Sequence, residues 1–361
     1  MSKQNLVETL NEYLSLGINQ QLDYDKFYLY SIITHSTAIE GSTVTEIENQ
    51  LLFDEGISAN KPMAEQLMNI DLKAAYEQSF VYAKAHTDFS IELLCKLASL
   101  VMKNTGSTYK NISGEFSSAK GDLRLLNVSA GRGGKSYLAW QKVPDNLQAF
   151  CDWLNKERKN INKKNIQKIY ELSFEAHYRI VSIHPWADAC APKEQTSIIS
   201  NYANGALATY GNGRMSRLIM NMIQYEAGVI PSIVKKENRA EYIQSLALSQ
   251  ENDDSSTFVE FMLNHHIENL QKQIAEYKAS MEADEVKGGQ KTVVGGQKKW
   301  SETTLRILDL LKQNPKISRK ELCEELKINP SAVQKHIEKL KEANKIERIG
   351  GAKGGEWRVN E

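Results

Sequence analysis

The sequence predicts a mainly α-helical protein: a helical bundle with a small β-hairpin flap, then a C-terminal winged helix-turn-helix. Three observations predict it. Apolar residues recur at helical spacing through most of the first 280 positions. Between 110 and 140 that spacing gives way to short apolar runs separated by glycines. Three short helical stripes and two strand-like runs close the chain.

The elements follow in order. Leu6, Leu10, Tyr13 and Leu14 mark one helix, and Phe27, Leu29, Ile32 and Ile33 a second. Similar stripes run through 62–84, 90–103, 144–157, 165–183, 214–227, 238–248 and 256–280. In 110–140, Gly114, Gly121, Gly131, Gly133 and Gly134 separate runs such as Leu123-Arg124-Leu125-Leu126 and Tyr137-Leu138-Ala139-Trp140, which reads as a hairpin. Residues 283–299 contain GGQK twice and no periodic apolar face, the composition of a linker. Beyond it, Leu305, Ile307, Leu308 and Leu311 make one helix, and Ser318 caps a second through Leu322 and Leu326. Val333, Ile337 and Leu340 mark a third, with strands at 346–349 and 356–359 as the wing. The expected division is 1–105, a helical region; 106–282, a core; 283–299, the linker; and 300–361, the winged helix.

At 361 residues the chain has room for two or three domains. Lys+Arg and Asp+Glu are both 45, so whole-molecule charge selects no partner. From Lys298 to Glu361, however, 15 basic and 10 acidic residues give a net of +5, which makes DNA a candidate partner. Cys95, Cys151, Cys190 and Cys323 form no CxxC pair, which argues against a zinc knot or a disulfide framework. Neither a signal peptide nor an apolar run of about 20 residues is visible, so a cytoplasmic protein without a membrane partner is expected.

The chemistry concentrates in two segments. His184 ends the 165–183 stripe, and Pro185 prevents the helix from continuing. At such an end, beside a loop, a histidine is expected to be exposed to substrate and to abstract protons at neutral pH. Asp188 is a hard oxygen ligand of the kind Mg²⁺ prefers beside phosphates. Some 22 residues later, Gly211-Asn212-Gly213 precedes a helix. There, left-handed glycines and free N–H groups would form an anion nest. Arg214 and Arg217, three apart, are expected to share a face and to reach one polyphosphate.

Joined end to end, the segments read HPWADGNGRMSR, which closely resembles HPFx(D/E)GNGRxxR, the active-site motif of the Fic family. The resemblance covers roughly residues 20 to 270. It implies a Fic-type bundle and transfer of AMP from ATP, with Mg²⁺, onto a Ser, Thr or Tyr hydroxyl of a protein target, the chain itself included. It makes His184 the general base and Asp188 the Mg²⁺ ligand. Gly211, Asn212 and Gly213 become the nest for the α- and β-phosphates, assisted by Arg214. Arg217 becomes the γ-phosphate ligand, and Asn238 a nucleoside contact. The 110–140 hairpin would dock a target segment by strand addition.

Near the N-terminus, Ser36-Thr37-Ala38-Ile39-Glu40-Gly41 resembles the family's inhibitory motif (S/T)xxxE(G/N). It implies that Glu40 pairs with Arg217 and keeps ATP from settling productively. The chain departs from the family where Ala189 to Tyr210 separate the halves. Looping out that insert costs about 2.7 kcal/mol plus a constant, but displacements of about 1 Å already slow catalysis. Impaired transfer is the expectation. Two further readings stand: a disabled Fic-fold regulator that binds nucleotide or DNA, and the reverse reaction, removal of AMP. A second copy of the chain is a further candidate partner.

Overall fold

The computed structural model describes residues 4–21, 23–129, 136–162, 164–187, 211–287, 302–326, 328, 330–342, 345–349 and 355–360. The chain forms two compact units, Met1–Ala275 and Glu276–Glu361.

The first unit holds α1 (Gln4–Ser15), α2 (Tyr24–Ile39), α3 (Glu46–Glu55), α4 (Met63–Lys84) and α5 (Ile91–Val101). A hairpin of β1 (Thr108–Asn111) and β2 (Gly114–Ser117) follows. Then come α6 (Val143–Asn160), α7 (Ile166–Ile183), α8 (Gly211–Glu226), α9 (Arg239–Asn252) and α10 (Ser256–Lys287), whose residues from Glu276 on belong to the second unit. Helix ends carry their expected signals. Thr45 and Glu48 make a reciprocal capping box on α3, which the apolar stripes alone do not reveal. Ser90 and Asn165 cap α5 and α7.

The centre of this unit is α8. It packs against α2, α4, α5 and α7, and nearly every residue from Gly211 to Gln224 is buried. Met215, Leu218, Ile219, Met222 and Ile223 join one apolar cluster with Ile32, Ile33, Leu72, Tyr76, Leu97, Leu172 and Ile180. A helix enclosed on all sides must also satisfy its polar residues internally. Asn221 accepts from Tyr76 Oη (2.8 Å) and donates to the Ser232 carbonyl (2.9 Å). Gln224 accepts from the Ser232 N–H (2.7 Å) and donates to Ser173 Oγ (2.8 Å).

The hairpin is shorter than the sequence suggests. β1 and β2 pair from Thr108 with Ser117 to Asn111 with Gly114, around Ile112 and Ser113. Leu123–Leu126 and Tyr137–Trp140 are not strands, although one bridge joins Ser129 to Ser136. The reason is Arg124, whose guanidinium takes the carbonyls of Leu126, Leu138 and His184. A side chain thus occupies acceptors that a strand partner would otherwise use. Residues 283–287, expected in the linker, continue α10.

In the second unit, α11 (Glu302–Gln313), α12 (Arg319–Leu326) and α13 (Pro330–Glu342) precede β3 (Ile346–Ile349) and β4 (Glu356–Val359). The strands pair antiparallel. Ile307, Leu311, Leu322, Val333, Ile337, Leu340, Ile346 and Trp357 form its own core. Ser318 and Glu321 exchange bonds at the start of α12 (3.2 and 2.7 Å). The sequence also offers Gln334, Lys335, Lys339 and Lys341 on the third helix and Lys353 in the wing loop as candidate DNA contacts. Of these, Lys335 and Lys339 are exposed on α13. Gln334 donates to Glu338 (2.6 Å), Lys341 lies over the Trp357 ring (5.5 Å), and Lys353 falls outside the described residues.

His177, His265 and His266 are buried in the first unit. Burial, with Lys235 nearby, holds His265 down to about 4. Burial, with His265 nearby, holds His266 down to about 3. Burial and then Arg217 hold His177 well below the ordinary value. Each depressed folded pKa means that the unfolded chain binds more protons once pH drops below about 6.5. Stability present above that pH is therefore lost as pH falls from about 6.5 toward 4. In urea titrations the unfolding free energy should fall by up to about 1.4 kcal/mol per pH unit for each such histidine. His266→Phe should remove one proton from that slope. An unchanged slope would show that His266 titrates normally.

Candidate active site

The site is assembled where α7 ends and α8 begins. Pro185 stops α7, and His184 turns into the left-handed region (φ 52°, ψ 64°), its N–H closing on the Ile180 carbonyl at 2.9 Å. That conformation costs a non-glycine residue about 1–3 kcal/mol and persists only where surroundings enforce it. Arg124 supplies the enforcement: its Nε donates to the His184 carbonyl (2.7 Å) and its backbone N–H to the Pro185 carbonyl (3.0 Å). The Tyr137 ring stacks on the imidazole, centroids 4.0 Å apart and planes 18° apart. His184 is thus only 7% exposed, and the expectation of an open histidine is corrected. A loop from 47 residues earlier covers it.

The two halves of the split motif meet directly. The Asn212 side-chain amide accepts from the Trp186 N–H (3.1 Å) and donates to the Trp186 carbonyl (2.9 Å). Trp186 is fully buried and donates its indole N–H to the Gly121 carbonyl (3.1 Å). The backbone on the His184 side is therefore clasped to the first turn of α8, whatever path 188–210 takes. Asp188 and the insert lie outside the described residues; Ala187, beside Asp188, is buried. Among the described residues no cluster of three His, Cys, Asp or Glu side chains could hold a metal.

The glycines act by leaving space rather than by left-handed geometry. Gly211, Asn212 and Gly213 form the first turn of α8 instead of a loop before it, and Gly213 has no positive φ. A Cβ at Gly213 would stand 2.5 Å from Glu40 Oε1 and 3.2 Å from Arg217 Nη1. A Cβ at Gly211 would collide with the Met102 side chain. The positive end of the helix dipole still lies here.

The arginines diverge, contrary to expectation. Arg214 is fully buried and reaches the Val101 carbonyl (2.8 Å) and the Thr105 hydroxyl (3.3 Å), bracing the end of α5. Burial raises the pKa of nearby Asp71, while Asn104 and then Arg214 pull it back. Arg217 points to α2 instead. Its Nε donates to Ser36 Oγ (2.8 Å), and its Nη2 to the Ser36 carbonyl (3.0 Å) and Glu40 Oε1 (2.5 Å). The Arg217 and Glu40 side chains are 3% and 5% exposed, so this ion pair is buried. Desolvation opposes the charge on Arg217, but Glu40 and Tyr242 outweigh it and raise its pKa. Gly41 follows with φ 100°, a conformation that suits glycine at a helix end.

Two side chains not singled out in the sequence complete the arrangement. Tyr242 Oη accepts from Arg217 Nη1 (3.3 Å) and is 2.8 Å from His177 Nε2, which also meets Ser216 Oγ at 3.0 Å. Arg239 donates to the Ile39 carbonyl (2.7 Å), closing the end of α2. His177 lies seven residues before His184, two turns along one helix face, and that spacing was a usable signal. Tyr242, Arg239 and Arg124 gave none. Asn238, beside Arg239, donates from its amide to Glu241 (3.4 Å).

Chemically, the α8 N-terminus, the gap at Gly213 and the Arg217 guanidinium make an anion site, and the Glu40 carboxylate stands in it. Residues 88–190 match the Fic/DOC family, and residues 301–347 match the winged helix-turn-helix DNA-binding family. The chain is 25% identical over 259 residues to the protein adenylyltransferase fic-1 of Caenorhabditis elegans, a match covering 71% of this chain and 43% of that protein. This chain spans less than half the length of the curated relatives it matches.

A Fic domain containing signaling protein from Bacteroides thetaiotaomicron superposes with a TM-score of 0.57 at 19% identity, over 76% of this chain and 98% of the other. A Fic family protein from Desulfovibrio desulfuricans gives a TM-score of 0.53 at 18% identity, over 100% and 97%. These likenesses concern the fold. Among the described residues no helix is long and apolar enough to cross a membrane. The chain carries a Fic/DOC domain followed by a C-terminal winged helix-turn-helix.

Proposed function

We propose that this chain transfers AMP from ATP to a Ser, Thr or Tyr hydroxyl of a protein, itself included, and that Glu40 restrains the reaction. The relatives' name, protein adenylyltransferase, supports the reaction class. The observation that carries the reading is the Asn212–Trp186 clasp, which brings the two halves of the motif together across 26 positions. His184 takes the proton of the target hydroxyl, whose oxygen bonds to the α-phosphorus as the bond to the β-phosphate breaks and pyrophosphate leaves. Tyr137 stacks on a ring face of His184 and so orients the base. Arg217 and the turn at Gly211–Gly213 hold the phosphates, and on Arg217 the Glu40 carboxylate already stands in for one of them. Asp188 is the candidate Mg²⁺ ligand; the ion supplies charge neutralisation at the phosphates.

Glu40 and the γ-phosphate compete for one guanidinium, which is the basis of self-inhibition. The insert enters between the metal-ligand candidate and the phosphate turn, and it lowers the rate without dispersing the halves. The exposed Lys335 and Lys339 on α13 favour a second activity, duplex DNA binding by the winged helix.

Incubation with α-labelled ATP and Mg²⁺ tests this. Glu40→Gly should raise automodification at least tenfold, about the effect of freeing one buried ionic partner. His184→Ala in that background should abolish label while nucleotide binding persists; continued transfer would rule out His184 as the base. Asn212→Ala, which leaves the Trp186 backbone groups unpaired, should cost about 1–3 kcal/mol of stability and suppress labelling. Full activity after that change would show that the clasp is dispensable. Deleting Ala189 to Tyr210 from Glu40→Gly should speed transfer, and no change would show the insert to be neutral.

A further inference from the structure

The inhibitory reading requires that Glu40 be held, yet Glu40 is the last residue before a glycine at a helix end. The position of that end is set elsewhere. Ser36 and Glu40 lie four apart on the face of α2 that meets Arg217. Thr34 and Thr37 lie on the neighbouring stripe and face α3 and α4. Thr37 Oγ1 donates to Asn69 Oδ1 at 2.8 Å. Asn49 Nδ2 donates to Thr34 Oγ1 (2.7 Å) and Asn69 Oδ1 (2.9 Å). Asn69 Nδ2 donates to Ser42 Oγ (3.2 Å) and the Glu65 carbonyl (2.8 Å). Asn49, Asn69 and Thr37 have no solvent exposure, and Glu65 in turn takes the Thr43 N–H and hydroxyl (2.5 and 2.8 Å).

Four bonds exhaust the capacity of one amide. Two of those at Asn69 bracket Glu40 in sequence, at Thr37 three residues before it and at Ser42 two residues after it. A helix end without such anchorage frays readily. We propose that Asn69 is a positioning residue for Glu40, the fixed point from which α2 presents its carboxylate to Arg217. It touches no phosphate-binding group and acts only through α2. The proposal rests on the inhibitory reading and deepens it: the restraint on nucleotide binding is stored in a buried amide network between α2, α3 and α4, as well as in the ion pair.

Population arithmetic gives the size of the effect. While the Glu40-engaged state dominates, apparent nucleotide affinity is the intrinsic affinity scaled by the open fraction. Weakening the engaged state by one hydrogen bond should therefore tighten apparent binding by about three- to tenfold. The experiment measures binding of a non-hydrolysable ATP analogue to the full chain. It uses Thr37→Val, which keeps the shape and removes the hydroxyl, and Asn69→Ala, each with Glu40 present and in Glu40→Gly. With Glu40 present, both should tighten binding by that factor. In Glu40→Gly neither should, because nothing remains to be positioned.

A merely structural role lowers the melting temperature in both backgrounds without tightening binding, and that outcome overturns the proposal. If Asn69→Ala does not fold, Thr37→Val decides alone. If Glu40→Gly itself leaves affinity unchanged, the inhibitory reading fails and this proposal with it. If Glu40→Gly tightens binding but Thr37→Val does not, only the positioning role of Asn69 fails.

Discussion

An arginine buried in a helix that is itself enclosed on every side must find an anion, because an unpaired buried charge costs several kcal/mol. Arg217 on α8 is such a residue, and much of the first unit can be understood from its need. Arg214, one turn earlier, donates to the Val101 carbonyl and the Thr105 hydroxyl and has the Asp71 carboxylate nearby. Arg217 has Ser36, Tyr242 and Glu40, and only Glu40 brings a negative charge. Because a phosphate carries more charge than a carboxylate, it is a credible replacement. Under the proposed function, a site that holds its own carboxylate in the place of a phosphate is closed without being damaged, and the Arg217 guanidinium is already oriented.

How much of this was legible follows from which interactions are local. His184-Pro185 states in sequence that a helix stops there, and it does. Glu40, four residues after Ser36 and followed by a glycine, states a helix end with two polar groups on one face. That is how Arg217 meets them. The failures came from long-range choices. The three-residue spacing of Arg214 and Arg217 predicts a shared face, but each long side chain follows whichever neighbouring helix offers acceptors, and these lie on different sides of α8. The covering of His184 by Tyr137 depends on Arg124 drawing three carbonyls together, and no periodicity reports such a fold of loop. No apolar stripe marks α3 in the sequence, but Thr45 and Glu48 spell out a capping box at its start.

The split motif shows the difference between adjacency in sequence and adjacency in space. A loop of 22 residues costs about 2.7 kcal/mol plus a constant to close, which burial of α8 and the two Asn212–Trp186 bonds together can exceed. Insertion is tolerated at this point because the helices on either side are fixed by other contacts: α7 through Ile169, Phe174 and Ile180, α8 through Met215, Leu218 and Ile219. The loop therefore does not have to define the site.

This changes how the glycines at 211 and 213 should be understood. If their task were only to permit left-handed turns, lengthening the loop before them would spoil the nest. They are instead the places where Met102, and then Glu40 with Arg217, come too close for a Cβ. Met102 and Glu40 cap the C-terminal ends of α5 and α2, and Arg217 lies on α8 itself, so the crowding is set by helix packing and is indifferent to the length of the preceding segment. What the insert can disturb is Asp188, which has one buried neighbour, Ala187, on one side and the insert on the other. Under the proposed function, Arg217, the turn at Gly211–Gly213 and His184 are therefore held by packing within the first unit, while Asp188 adjoins the insert in sequence.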